Sequence, residues 1–278
     1  MDGFGRGLKS TTIVLSAVLA AVSLGGCVRP SAAQQRHDQT VRTRTLTWSG
    51  GDHLYVAMAA DVRYVPGAAG TVVVTGPTDA IEDIVVDGGV IRHDQQHWGW
   101  GPWNWRWNWG WSSPVKIVVT APQINEAGVG GSGHLDMGRL SQDHLVLSVS
   151  GSGALQASGQ FKTLAVSISG SGSQRLDQVN AGDMTANLSG SGWMRATGAA
   201  NSLHLGVSGS GGADLGGLTA QDVDAHLTGS GSASLSPKQS ADVSVFGSGA
   251  VRLLTEPPKL NTHRGGSGAI ILPSGSRA

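Results

Sequence analysis

The chain has 278 residues, 43 of them glycine, and its formal charges balance to zero at neutral pH. That balance gives no reason to expect a nucleic acid or another polyanion as a partner. A single cysteine excludes an intramolecular disulfide.

Residues 1–26 are predicted to be a targeting segment. Arg6 and Lys9 form a basic start, and the apolar stretch that follows them is too short for a stable membrane span. Loss of this segment would remove two basic residues and one acidic residue, which leaves the mature chain with a charge of −1.

The targeting segment ends in Leu24-Gly25-Gly26-Cys27, which is similar to a bacterial lipobox. Cys27 is therefore expected to be the lipidated first residue of a membrane-anchored lipoprotein. The alternative is ordinary signal cleavage near Ala32-Ala33, which would remove Cys27. The residue after the cysteine is Val28, not the acidic residue that is associated with retention at the inner membrane. This favours a location in the outer membrane. The polar residues 27–40 are predicted to form a flexible tether.

Residues 41–278 are predicted to form one domain. Its first part has strand-like runs separated by Gly and Pro pairs, and no helical stretch stands out. These runs are predicted to form an irregular β-rich cap that covers one end of a repeating structure. The candidate strands are 43–48, 53–58, 61–65, 71–75, 81–86, 90–92 and 115–120.

A tryptophan-rich insertion covers residues 98–111. Its indoles alternate with Asn and Arg residues towards its end, so an extended backbone would place five of them on one face. They are predicted to bind a glycan or the lipid headgroup zone, because indole combines an apolar body with an N–H donor. Packing over the core and lack of order remain alternatives. The residues are Trp98, Trp100, Trp103, Trp105, Trp107, Trp109 and Trp111.

The tripeptide Gly-Ser-Gly occurs eight times in residues 129–272, and successive serines are separated by 18 to 20 residues. So regular a period is typical of a solenoid. The serines are Ser132, Ser152, Ser171, Ser191, Ser210, Ser230, Ser248 and Ser267.

Alternating apolar residues flank each tripeptide. Positions seven, five and three before the serine and three and five after it are apolar in most repeats, which predicts strands with one buried face. Gln174 is an exception at an inward position. The sequence therefore predicts an all-β, single-stranded parallel β-helix whose turns have about 19–20 residues and stack about 4.8 Å apart.

Glycine is expected at each corner because the bend needs backbone angles closed to other residues. The serine hydroxyl is expected to bond to the neighbouring turn. Right-handed winding is the default for parallel crossovers.

No motif predicts catalysis, a cofactor or a metal site. Eight equivalent serines are better explained as a structural column than as nucleophiles. His204 and His226 lie at different offsets from their corners, so they are not expected to share a column. Acidic residues for sugar cleavage are expected to be scattered over different columns, namely Asp136, Asp214, Asp224 and Asp242.

The repeats resemble the head GIN domain of auto-transporter adhesins. The matching stretches are residues 147–153, 166–172 and 205–211, each of which ends in Gly-Ser-Gly. The resemblance implies a β-helical domain on a bacterial envelope protein and brings no catalytic residues. The tryptophan-rich insertion is not part of the family's repeated pattern.

These observations predict a non-catalytic cell-envelope lipoprotein that binds an envelope glycan, a surface or a protein partner. Its membrane contact would be the lipid on Cys27. One alternative is a carbohydrate-active lyase or hydrolase on the same scaffold, which a cleft lined by acids from neighbouring turns would favour. The other is a purely structural assembly factor.

Overall fold

The computed structural model of the protein describes residues 40–94 and 115–274. All of them belong to a compact unit that spans His37–Ala278. The targeting segment, Cys27, nearly all of the tether and the tryptophan-rich insertion lie outside the described residues, so those assignments stay predictions.

The first part of the unit contains seven short strands and one turn of helix. Ile81 ends the helix instead of starting a strand, so the strand expected at 81–86 begins only at Ile84. The elements are β1 Val41–Thr47, β2 His53–Val56, β3 Ala60–Pro66, β4 Thr71–Pro77, α1 Thr78–Ile81, β5 Ile84–Asp87, β6 Val90–His93 and β7 Val115–Ala121.

The second part consists of strands that are each parallel to the strand of the preceding turn, and β9 to β14 among them have 16 to 18 residues. The fold is thus the predicted parallel β-solenoid; its handedness stays a prediction. The strands are β8 Glu126–Gly131, β9 His134–Gly151, β10 Ala154–Gly170, β11 Ser173–Gly190, β12 Trp193–Gly209, β13 Gly212–Gly229, β14 Ser232–Gly247, β15 Ala250–Leu253, β16 Lys259–Gly266 and β17 Ala269–Ile271.

The short strands form two ladders that lead into β9. In one ladder, β1, β4 and β7 are antiparallel, and β7 continues in parallel through β3 to the start of β9. In the other, β5 is antiparallel to β6, and β6 continues in parallel through β2 and β8 to the end of β9. These ladders are the irregular β-rich cap that the sequence predicted.

The core contains the predicted inward residues and a further inward group that the sequence analysis missed. This group follows a second bend in each turn, where the pairing of neighbouring turns shifts by a residue or more. Its buried members are Leu140, Phe161, Val179, Ala181, Ala200, Leu218 and Ala220. The differences in turn length are absorbed at this bend, which is why an alignment on the corner serines does not bring this group into register.

The Gly-Ser-Gly corners stack in one column. The first glycine of each corner has a φ between +106° and +117°, a conformation that only glycine adopts readily. The serine N–H continues the ladder: the Ser191 N–H, for example, donates to the Gly170 carbonyl at 2.9 Å. The expected role of the hydroxyl is wrong, because the eight corner serines are exposed and none of their hydroxyls makes a hydrogen bond among the described residues. The backbone alone joins the corners.

Candidate binding groove

A groove of about 610 Å³ opens on the outer surface of β12, β13, β14 and β16. We call it the histidine–aspartate groove, after Asp222, Asp224, Asp242, His204, His226 and His263, which line it. Side chains that alternate outward along each strand form its surface, because the intervening positions are buried in the core. The second bend and the Gly-Ser-Gly corner bound this stretch of strand.

Parallel register arranges the outward side chains in columns that run from turn to turn. His204, Asp224 and Asp242 are direct register partners, and Asn261 follows them. In the adjacent column His226 is followed by Ser244 and His263. His204 and His226 lie in different columns, as expected.

The expectation that the acidic residues are scattered is wrong. Asp224 and Asp242 are partners in neighbouring turns, and Asp136 and Asp214 lie in a common column of another face. The two members of each pair lie the same number of residues from the corner serines of their own turns. Parallel strands in register place such residues in one column. Asp224 and Asp242 therefore place two carboxylates about 4.8 Å apart at the level of the backbone.

Asp224 is held by both neighbouring histidines. Its Oδ1 lies 3.0 Å from His226 Nε2, and its Oδ2 lies 3.5 Å from His204 Nδ1. Nearby, the Ser240 hydroxyl donates to Asp222 Oδ1 at 2.5 Å. Asp242 differs from both acids, because its carboxylate makes no hydrogen bond or ion pair with the described residues.

Ser244 lies in the groove between His226 and His263 of the neighbouring turns. Only 6% of Ser244 is exposed, yet its hydroxyl makes no hydrogen bond with the described residues. Ser244 therefore offers a ligand a hydroxyl at the base of the groove that has no partner within the described part of the chain.

The residue types of an acyl-transfer triad meet here, but their geometry differs from that of a triad. His226 contacts Asp224 through Nε2, and no hydrogen bond joins its ring to Ser244. A triad needs the nucleophile, base and orienting acid linked in one chain. Among the described residues, no group of three or more His, Cys, Asp or Glu residues is arranged to hold a metal ion. What the groove offers is an array of hydrogen-bonding groups.

A second polar cluster joins the cap to the first turns. The Tyr55 hydroxyl donates to Glu126 Oε1 at 2.6 Å, and Glu126 Oε2 lies 3.1 Å from His53 Nδ1. His53 Nε2 lies 3.1 Å from Asp52 Oδ1, and Asn125 donates to the other Asp52 oxygen at 3.0 Å. This cluster links β2 to β8 and stabilises the entry to the solenoid. The sequence analysis missed it because its members come from segments about 70 residues apart.

The cluster perturbs two of its own titratable groups. The hydrogen bond to Glu126 raises the pKa of Tyr55, because an ionised phenol would face the carboxylate. The hydrogen bond from Asn125 lowers the pKa of Asp52 by favouring its charged form.

The structure does not describe the sequence-predicted site residues. β6 of one ladder ends at His93 and β7 of the other begins at Val115, and the tryptophans Trp98 to Trp111 lie outside the described residues. Within residues 40–94 and 115–274, no helix is long and apolar enough to cross a bilayer.

The fold is shared with solved structures of bacterial proteins. A protein described as a putative lipid binding protein from Parabacteroides distasonis is 20% identical, with a TM-score of 0.72 over 84% of this chain and 96% of that one. A putative adhesin from the same organism is 17% identical, with a TM-score of 0.69 over 85% and 98%. A putative adhesin from Parabacteroides merdae is 15% identical, with a TM-score of 0.68 over 84% and 95%. At these identities the likeness shows the fold alone.

The comparison with curated proteins found no match. A family profile does match residues 52–257, well over half of the chain, and it is described as "Putative auto-transporter adhesin, head GIN domain". The match spans the cap from β2 onward and the turns from β8 to β15, in agreement with the resemblance of the repeats. The chain belongs to this head GIN domain family.

Proposed function

We propose that the protein is a non-catalytic binding domain of the bacterial cell envelope and that it holds a glycan in the histidine–aspartate groove. The observation that carries this proposal is the groove itself, an open surface of polar side chains on a stack of parallel strands. Its carboxylates, imidazoles and hydroxyls are the groups that hydrogen-bond to sugar hydroxyls. Little ordering cost is expected on binding, since ladders on both sides hold the backbone of β12, β13 and β14, and a ladder with β14 holds β16.

Family membership supports a surface role. The family and two of the similar structures carry the name adhesin, and a third carries a lipid-binding name. These names fit a surface or envelope protein whose task is binding. They do not specify a ligand for this chain, so the glycan rests on the chemistry of the groove.

A direct test is binding of the full chain to purified envelope glycans in a pull-down. Wild type is expected to be retained, and a variant with Asp242→Asn and Ser244→Ala is expected to be retained less. The matched control is Asp177→Asn, which removes a charge from an exposed position on β11 outside the groove. Equal retention of all three proteins would contradict the proposal.

The tryptophan-rich segment is proposed as a second binding surface. Deletion of residues 98–111 is expected to weaken retention on glycans or membranes, because seven indoles are lost. Tryptophan emission checks the same idea independently. A strongly blue-shifted emission that is protected from quenchers would mean that the indoles are packed, which would favour a structural assembly role.

Lipidation of Cys27 is proposed as the membrane anchor. Cys27→Ala is expected to release the protein from the membrane fraction, and an inhibitor of lipoprotein signal cleavage is expected to block processing. Unchanged membrane retention after both treatments would contradict the anchor. Residence in the outer membrane is a further part of this proposal, which fractionation checks.

A carbohydrate-active enzyme is the second candidate, favoured by the partnered acids Asp224 and Asp242 in one groove. Paired carboxylates are the groups that glycoside hydrolysis needs. Incubation of the protein with the retained glycan separates the two functions. Release of shorter sugars by wild type but not by Asp242→Asn would identify an enzyme, and intact glycan would identify a binding domain.

A further inference from the structure

We propose that the histidine–aspartate groove is specific for an amino sugar, whose protonated amine lies between Asp224 and Asp242. This inference rests on the proposed glycan-binding function and adds the class of sugar. Two independent features of the groove carry it: the unpaired carboxylate of Asp242, and the hydroxyl of the largely buried Ser244, which has no partner among the described residues.

The charge in the groove is unbalanced. The lining residues include three carboxylates, those of Asp222, Asp224 and Asp242, and Lys259 is the only Lys or Arg among them. Asp242 has no partner in the part of the chain that the structure describes, and it is the register neighbour of Asp224. Like charges at this spacing repel each other, and a cation between them relieves that repulsion. An ammonium group also donates up to three hydrogen bonds to such carboxylates.

The Ser244 hydroxyl is placed to bond to a second polar group of the same ligand. Ser244 is 6% exposed at the base of the groove, and its hydroxyl has no partner among the described residues. It lies on the same outward side of β14 as Asp242, two residues further along. The Cα atoms of two such residues are about 6.6 Å apart in a strand, and one sugar ring with its substituents spans this distance. A vicinal amine and hydroxyl would reach Asp242 and Ser244 together.

Other ligand classes match only one of the two features. A neutral sugar could bond to Ser244 but would leave the charge of Asp242 uncompensated. A linear polyamine would compensate the charge but carries no hydroxyl for Ser244. The amino sugar satisfies both, and it also presents further hydroxyls to His226 and His263.

Calorimetry on the full chain at neutral pH tests the inference with three probes. They are a glucosamine tetramer, the N-acetylglucosamine tetramer of the same length, and spermidine. The glucosamine tetramer is expected to bind most tightly, because acetylation removes its charge and spermidine has no hydroxyl. Added salt is expected to weaken its binding, since an exposed ion pair is screened.

Variants identify the residues. Asp242→Asn is expected to weaken the glucosamine tetramer about tenfold, the effect of losing a hydrogen bond to a charged group. Ser244→Ala is expected to weaken it several-fold, and the control Asp177→Asn is expected to leave it unchanged. Thermal unfolding checks that each variant is folded. Asp242→Asn removes a repulsion between two carboxylates and is expected to stay folded. It therefore decides the result if Ser244→Ala does not fold.

The outcomes separate this inference from the proposed function. Equal binding of both tetramers would overturn the amine specificity and leave glycan binding in place. Spermidine binding as tight as that of the glucosamine tetramer would overturn the assignment to a sugar. If neither tetramer binds, the inference is wrong, and the pull-down on envelope glycans decides the broader function.

Discussion

Gln174 occupies an inward position that the neighbouring turns fill with Leu155 and Met194. Its side chain is 2% exposed, and its Nε2 donates to the Ser167 carbonyl at 3.1 Å. Its Oε1 has no hydrogen-bond partner within residues 40–94 and 115–274. The buried amide oxygen loses its hydrogen bonds to water and gains none in return. Gln174 is therefore expected to lower the free energy of unfolding, compared with the apolar residues of the same column.

Replacement of Gln174 by methionine is expected to stabilise the protein. The two side chains have a similar shape, and the change removes the unpartnered amide oxygen from the core. The gain in free energy of unfolding is expected to be about 1–2 kcal/mol, the usual range for such a buried group. Denaturant unfolding measures it, with Gln160→Met at an exposed position of β10 as the control. A loss of stability in Gln174→Met would mean that the amide is fully satisfied in solution.

Tyr55 and Glu126 make a second prediction at this scale. The pKa of Tyr55 is raised above its ordinary value of 10.0 by Glu126, so Glu126→Gln is expected to bring the pKa of Tyr55 back towards that value. Tyr64, the other tyrosine of the chain, is the internal control, because burial raises its pKa. Phenolate absorbance during an alkaline titration measures both, and Tyr55→Phe assigns them. An unchanged titration would contradict the role of Glu126.

The sign for stability follows from the direction of these shifts. A raised pKa means that the folded state keeps the phenol proton more tightly than the unfolded state does. The contribution to the free energy of unfolding is therefore complete below pH 10 and is lost as the pH rises through the folded-state pKa. Glu126→Gln is expected to reduce this loss.

At the scale of elements, the first glycine and the serine of each Gly-Ser-Gly corner have different structural roles. Gly190 has a φ of +107°, and a Cβ there would lie 2.7 Å from the Gly170 carbonyl oxygen. Ser191 joins the ladder through its N–H, and its side chain is exposed. Glycine is required by the backbone, whereas serine is required only to be small and polar.

Gly190→Ala is consequently expected to destabilise the protein by about 2 kcal/mol or more, from strained backbone and the close carbonyl oxygen. Ser191→Ala is the matched control in the same corner and is expected to change stability by less than about 0.5 kcal/mol. Thermal or denaturant unfolding of both variants checks the contrast. A large effect of Ser191→Ala would show that its hydroxyl has a structural partner after all.

At the scale of the solenoid, each inner turn pairs with the turn before it and the turn after it. Stability in such an array is approximately a sum over turns and their interfaces. The register between β10 and β12 is preserved if the turn between them is removed as a whole, since Ala154 and Trp193 occupy equivalent positions.

Deletion of residues 173–192 removes one whole turn, and the shortened protein is expected to fold with a lower free energy of unfolding. Deletion of residues 173–182 is the matched control. It removes half a turn and shifts the corner of β11 out of its column, so it is expected to unfold or aggregate. Circular dichroism with thermal melting distinguishes the two. A folded half-turn variant would contradict the column arrangement.

Two sequence features were sufficient to predict the solenoid: the period of the corners and the alternation of apolar residues before each corner, such as Leu164, Val166 and Ile168. They were sufficient because such residues lie a constant number of positions from the serine in every turn. Leu140 and Val179 were not recognised as core residues, since the second bend changes length from turn to turn. The groove was missed for another reason. Asp224 and Asp242 could have been found from their equal offsets, but the contacts of Asp224 with two histidines required the geometry of the side chains.

By itself the sequence determined the parallel solenoid, its turn length and the family of the chain, because these depend on local periodicity that every turn repeats. Only the tertiary structure decided that the backbone and not the serine hydroxyl joins the corners, and that Ser244 lies largely buried at the base of the groove. It also decided that the cap is tied to the first turns by Tyr55, His53 and Glu126. These features depend on side chains brought together from different turns, and their distances and burial are set by packing across the stack.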